Sequence, residues 1–273
     1  MAEPPTTAVP SLDALGLSRA RPLVLVDVDE VLGLFMQGFG AFLAGHGLEM
    51  RIDRFALFQN IYRPGAAEHL DLAEGRKLFD AFFGGHCHEI EPAPGAIQAL
   101  NRLAAHAEIV ILSNAPPQAE RLRTDWLAKH GMAHPLILNV GPKGPIAAAL
   151  VAQTPQPTAF VDDLLPNLDS VADHCPATAT FQHVADLRLR PYAPRSDRHP
   201  RIDDWDELGE AIEAATHHLA RAALRQDPGQ PLGEARRCRL RLRRSRNASP
   251  SQQRCTESGK HGKAPRRVVK PAG

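Results

Sequence analysis

Residues 23–26 (Leu-Val-Leu-Val) form a continuous apolar run that ends abruptly on Asp27-Val28-Asp29. Such a run fits a strand buried on both faces of a parallel sheet, whereas a half-exposed strand would alternate apolar and polar residues. The pattern recurs: residues 109–112 stop at Ser113-Asn114-Ala115-Pro116-Pro117, residues 136–138 lead into Asn139-Val140-Gly141-Pro142, and residues 158–161 stop at Asp162-Asp163. Helical patterns over 96–107, 118–130 and 145–153 separate these runs. Strands alternating with helices need right-handed crossovers, so the pattern predicts an α/β protein with a doubly wound parallel sheet. A further short strand over 177–181 and a helix from about 203 to 225, with Asp203, Asp204, Asp206 and Glu207 around its first turn, complete the series.

Residues 33–90 break this rhythm. Eight of the ten Phe lie between 35 and 83. Phe35, Phe39, Phe42 and Leu43 recur at helical spacing, as do Phe55, Phe58 and Tyr62, and then Leu78, Phe79, Phe82 and Phe83. The segment is expected to be a small all-helical cap inserted after the first strand. Its Phe stripe is read first as the cap's own core, and second as lining for a pocket.

Charge divides the chain again. Residues 236–273 carry ten Arg and three Lys against one Glu, a balance of +12, while the other 235 residues carry 19 basic and 30 acidic side chains, a balance of −11. The expected organisation is a flexible leader (1–20), an α/β core (21–32 and 91–225), a cap (33–90) and a basic disordered tail (226–273). The run RRCRLRLRRSR in the tail suits nonspecific contact with nucleic acid or another anionic surface, but no aromatic residue interleaves to stack bases. Nucleic acid is therefore expected as a partner only through the tail. No 18-residue apolar stretch or secretory signal is visible, so no membrane partner is expected and a cytoplasmic location is. The four Cys are far apart with no CxxC pair, which argues against a zinc knot or disulfide framework.

The polar residues that end the strands carry the chemistry. In an open α/β sheet the ligand site lies at the C-terminal strand edge. Asp27 and Asp29, two apart at such an edge, suit a Mg²⁺ site or a pair divided into nucleophile and acid. Ser113 and the N–H of Asn114 can hold an anionic oxygen, Lys143 is a compact point charge suited to phosphate, and Asp162 and Asp163 are hard oxygen ligands. Lys143 is one of only three Lys in residues 1–235. Each signal alone also has an ordinary reading as a cap, turn or surface residue. His86-Cys87-His88 is not read as a metal site, because adjacent positions converge poorly on one ion.

Taken in order, acid-x-acid, Ser, Lys and acid-acid at successive strand ends resemble the haloacid dehalogenase-like (HAD) superfamily over residues 21–225. Asp27-Val28-Asp29-Glu30-Val31 resembles its DxDx[TV] motif, and the insertion sits where its type C1 caps sit. The resemblance implies a Mg²⁺-dependent phosphatase acting on a small phosphorylated metabolite. In that reading Asp27 forms an aspartyl-phosphate, and Asp29 is the acid and base. Ser113, Asn114 and Lys143 bind the phosphoryl group, and Asp27, the Asp29 carbonyl and Asp162 or Asp163 hold the metal. Relatives that cleave carbon–halogen bonds or phosphonates lack the second acid, so Asp29 favours phosphoryl transfer to water. A non-catalytic protein using the basic tail, or another phosphoryl transferase such as a phosphomutase, is the alternative. Glu30 stands where many such phosphatases have Gly, and is expected to face solvent. Arg63 in the cap is read as a surface residue, or as a contact for a second anionic group.

Overall fold

In the computed structural model the described residues are 9–226, with side chains described to residue 217. The basic tail expected beyond the last helix lies outside the described residues. Along the chain the elements are β1 (Leu23–Val26), α1 (Phe35–Gly45), β2 (Glu49–Met50), β3 (Ile61–Tyr62), α2 (Leu72–Gly85) and α3 (Ala96–Ala104). They continue with β4 (Glu108–Asn114), α4 (Glu120–Lys129), β5 (Leu136–Asn139), α5 (Gly144–Val151), β6 (Thr158–Asp162), α6 (Leu165–His174), β7 (Ala179–Gln182) and α7 (Trp205–Gln226).

Five of the seven strands form one parallel sheet in the order β5-β4-β1-β6-β7. Alternation along each strand divides the core in two. Val24, Val26, Ile109, Ile111 and Val161 face one layer, filled by α3, α4 and α7 through Leu100, Trp126 and Leu208. Leu23, Leu25, Val110, Leu112 and Phe160 face the other, filled by α5 and α6 through Ile146, Leu150 and Leu168. Both faces are covered, which is why these strands read as unbroken apolar runs. Among the described residues no helix is long and apolar enough to cross a membrane.

Two expectations change. Residues 9–17 of the leader pack on the second layer: Leu12 is buried there, with Val9, Leu15 and Leu17 against it, and its N–H donates to Gln153 Oε1 (2.8 Å). Apolar spacing in this Pro-rich stretch is enough to tie it down. The cap, read as all-helical, holds two α-helices joined by a long link that adds an antiparallel ladder of β2 and β3. That ladder arises where the link between α1 and α2 doubles back, and the Arg51 guanidinium lies 4.3 Å from the Tyr62 ring centre.

The chain leaves the core at Gly33 and returns at Pro92, where the two segments bridge antiparallel. A Cβ on Gly33 would press on the Ile90 side chain, which would have to shift to admit it. Two buried tryptophans pin the crossing: Trp126 Nε1 donates to the Ile90 carbonyl (2.8 Å), and Trp205 Nε1 donates to the Val31 carbonyl (3.1 Å). In the cap, Phe39 and Phe82 stack edge to face at 5.3 Å, and Phe35 lies 5.6 Å from Phe82. The Phe stripe is thus continuous with the first layer of the core.

Candidate active site

Parallel pairing sets the site. Val26 is level with Val161, so the next residues, Asp27 and Asp162, emerge side by side at the C-terminal edge. The Asp27 N–H donates to the Val161 carbonyl (3.0 Å), which holds the backbone in the ladder one residue beyond the strand. Lys143 caps α5 from the neighbouring loop. Its ammonium is fully buried, 2.7 Å from Asp27 Oδ1 and 2.6 Å from Asp162 Oδ2. Burial works to lower the Lys143 pKa, and the two carboxylates overcome it, so the net shift is upward.

Asp162 is saturated with donors. It accepts from Lys143, from the Leu164 N–H (2.9 Å) and from Asn167 Nδ2 (3.1 Å). Burial nonetheless pushes its carboxyl up to about 6 against the pull of Lys143. Asp163 is different: its carboxylate has no hydrogen-bond donor among the described residues. Burial, and then the Asp162 and Asp27 charges, push its pKa well above the usual carboxylate range. Oxygens of Asp27, Asp162 and Asp163 lie within 4.8 Å of one another, and this is the one such cluster of potential metal ligands among the described residues. Three buried carboxylates with one lysine leave excess negative charge, and one acid lacks any partner. That donor set fits a hard divalent cation.

Asp29 lies beside this cluster and lines the same cavity of about 270 Å³ between core and cap, as do Asp27, Asp163 and Asn114. Burial raises its pKa, Arg123 opposes the rise, and the Asp27 charge adds to it. Arg123 donates directly to Asp29 Oδ1. Nothing in the motif order pointed to Arg123. The available signal was its phase: Ala119, Arg123, Trp126 and Leu127 are all buried on one face of the α4 region, so a charged residue stands at a core position.

Of the other phosphate-binding candidates, Asn114 lines the cavity and Ser113 does not. Ser113 is fully buried at the end of β4, and its hydroxyl has no partner among the described residues. Asn114 Oδ1 accepts from Asn139 Nδ2 (2.8 Å), and Asn114 Nδ2 donates to the Gly141 carbonyl (2.9 Å), which fixes the loop that carries Lys143.

Glu30 does not face solvent. It is buried with φ +60°, Oε1 accepts from the Met36 N–H (2.7 Å), and Oε2 accepts from the Asp186 N–H (3.0 Å). It caps α1 and clasps the loop after β7, and burial pushes its carboxyl up to about 7. Arg63 is exposed, pairs with Glu74 (2.8 Å) and does not line the cavity. His86 faces Glu89 (3.2 Å), while the buried Cys87 thiol points to the Phe83 carbonyl (3.7 Å).

A scan against protein-family models and a comparison with curated proteins both find no match. Solved structures do match. The HAD-hydrolase YfnB from Bacillus subtilis, solved bound to magnesium, aligns over 70% of this chain and 98% of its own, with TM-score 0.50 and 13% identity. The chain has the HAD-like fold. The haloacid dehalogenase-like protein SP0104 from Streptococcus pneumoniae (71% of this chain, 100% of its own, TM-score 0.49, 11% identity) is also similar. So is a family IA HAD hydrolase from Entamoeba histolytica (73% and 99%, TM-score 0.48, 12% identity). In this HAD-like core the four strand-end signals converge: Asp27, Lys143, Asp162 and Asp163 meet directly, with Asp29 and Asn114 on the same cavity.

Proposed function

We propose that the protein is a Mg²⁺-dependent phosphomonoester hydrolase that works on a small phosphorylated metabolite through an aspartyl-phosphate on Asp27. The observation that carries this reading is the meeting of Asp27, Lys143, Asp162 and Asp163 beneath the cavity that Asp29 also lines.

Asp27 attacks phosphorus, and the phosphorus–oxygen ester bond breaks as the new bond forms. Asp29 gives its proton to the leaving alkoxide, a role that suits a carboxyl raised by burial. As a carboxylate it then takes a proton from water, which attacks the phosphorus, frees Asp27 and releases inorganic phosphate. Arg123 fixes the direction in which Asp29 points. Lys143 holds Asp27 in place, and the Ser113 hydroxyl and the Asn114 N–H receive the phosphoryl oxygens. Asp27, Asp163 and the Asp29 carbonyl would hold the metal. The donor-saturated Asp162 instead orients Lys143 and the turn into α6. When bound, Mg²⁺ neutralises charge on the transferring phosphoryl group.

The test is hydrolysis of p-nitrophenyl phosphate with and without Mg²⁺, by the wild type and by Asp27→Asn. Activity that needs Mg²⁺ and falls at least about 10³-fold in the variant supports the reading. Activity near wild type in a folded Asp27→Asn protein overturns the covalent mechanism.

A further inference from the structure

The two walls of the cavity differ in chemistry. The floor is polar: Asp27, Asp29 and Asp163 lie there with Glu30, Asn114 and Asn167. The wall facing it is hydrocarbon: Phe35 and Met36 of α1, Phe55 and Leu57 of the cap loop, Phe79 of α2 and Leu189 of the loop after β7. Among the described residues no lysine or arginine lines the cavity. Lys143 is fully buried beneath it, and Arg63 is engaged outside it by Glu74.

The rim points the same way. Large exposed apolar side chains are few among the described residues, and three of them, Val140, Leu164 and Leu187, follow the C-terminal ends of β5, β6 and β7. Those strands are parallel, so the three follow the C-terminal side of the sheet, and Leu164 among them lines the cavity.

We propose that the ester turned over here carries an uncharged hydrocarbon alcohol as its leaving group, rather than a sugar or a second anionic group. This rests on the phosphomonoesterase reading and adds the class of substrate. A second phosphate or carboxylate would meet acids and aromatic rings, with no cationic side chain among the described lining residues to pair it. Sugar hydroxyls directed at Phe55, Leu57 and Phe79 would lose water where no side chain of that wall offers a partner. A hydrocarbon body fills the same wall and loses nothing.

The test compares cyclohexylmethyl phosphate with glucose 6-phosphate. Both present a six-membered ring on a CH₂–O–phosphate; glucose has the slightly better leaving group, so a preference for the cyclohexyl ester runs against intrinsic reactivity and reports on ring polarity and size. We expect kcat/KM with Mg²⁺ to favour the cyclohexyl ester by at least about tenfold. Calorimetry on metal-free Asp27→Asn should show tighter binding of the same ester. Ala56→Lys, which places a cation in the cap wall at a position whose structural contacts are made by backbone, should cut the preference at least about fivefold. A preference below tenfold, with Mg²⁺-dependent turnover intact, overturns the substrate class and leaves the phosphatase standing. Absence of Mg²⁺-dependent turnover of either ester and of p-nitrophenyl phosphate overturns both.

Discussion

Arg123, fully buried on the core helix α4, donates to the Asp29 carboxylate and holds its guanidinium carbon 5.2 Å from the centre of the Phe83 ring in the cap. One side chain therefore touches both the cap and the proposed acid–base group. Its Nε and Nη1 have no partner among the described residues, so the link to Asp29 is its one hydrogen bond there. Arg123→Met should lower kcat about 10²-fold, because a misdirected proton donor is costly, while KM stays within about threefold. Arg123→Lys should recover part of kcat. Equal effects on kcat and KM, or only a loss of folded protein, would count against a positioning role.

Asp163 is buried, without a donor, and next to two other acids. Asp163→Asn removes a repulsive charge, so the metal-free variant should be about 1–2 kcal/mol more stable than the wild type near pH 7. Adding Mg²⁺ should raise the melting temperature of the wild type, with reversal by chelator, and leave that of the variant unchanged. Calorimetric scans with and without Mg²⁺ check both halves. A variant that still gains stability from the ion would remove Asp163 from the ligand set.

Glu30 combines a strained backbone with two useful acceptors. Glu30→Ala keeps the left-handed φ and orphans the Met36 and Asp186 N–H groups, for a loss of about 2–4 kcal/mol. Glu30→Gly loses the same acceptors but relaxes the backbone, so it should be about 1 kcal/mol more stable than the alanine variant. Urea denaturation ranks the three proteins. An alanine variant above the glycine variant would mean that the backbone there is not strained.

His183 is buried against Trp205, with ring centres 5.1 Å apart, and its Nδ1–H donates to the Ile202 carbonyl (2.8 Å). Burial pushes its pKa down to about 4, against the nearby Asp203 and Asp204 and with the help of Arg190. The folded form holds the ring neutral, while the unfolded chain takes up a proton near pH 6.5. The contribution to stability is therefore complete above about pH 6.5 and lost as the pH falls towards about 4, by up to about 3 kcal/mol. In denaturant titrations across this window His183→Phe should lose less stability than the wild type. Parallel curves for the two proteins would show that His183 does not set the slope.

The core was legible because its strands are buried on both faces, which leaves unbroken apolar runs with polar ends, and the site residues are those ends. The two-residue strands of the cap left no such mark, since Glu49–Met50 and Ile61–Tyr62 are too short for any period. Lys143 was legible by its place in the chain, but its burial between two carboxylates depends on residues 116 and 19 positions away. Arg123 and Glu30 were missed for a shared reason. A charged side chain at a buried position looks like a surface residue until its partner, here Asp29 or two backbone N–H groups, is known.

Asp27 and Asp162 stand side by side because β1 and β6 are hydrogen-bonded in register up to the residues just before them. Their separation is accordingly measured out by the spacing of adjacent strands, about 4.8 Å, a length common to all sheets. The backbone acts as a ruler, and the side chains around it need only be apolar and of suitable bulk. Many different sequences can therefore keep the same gauge.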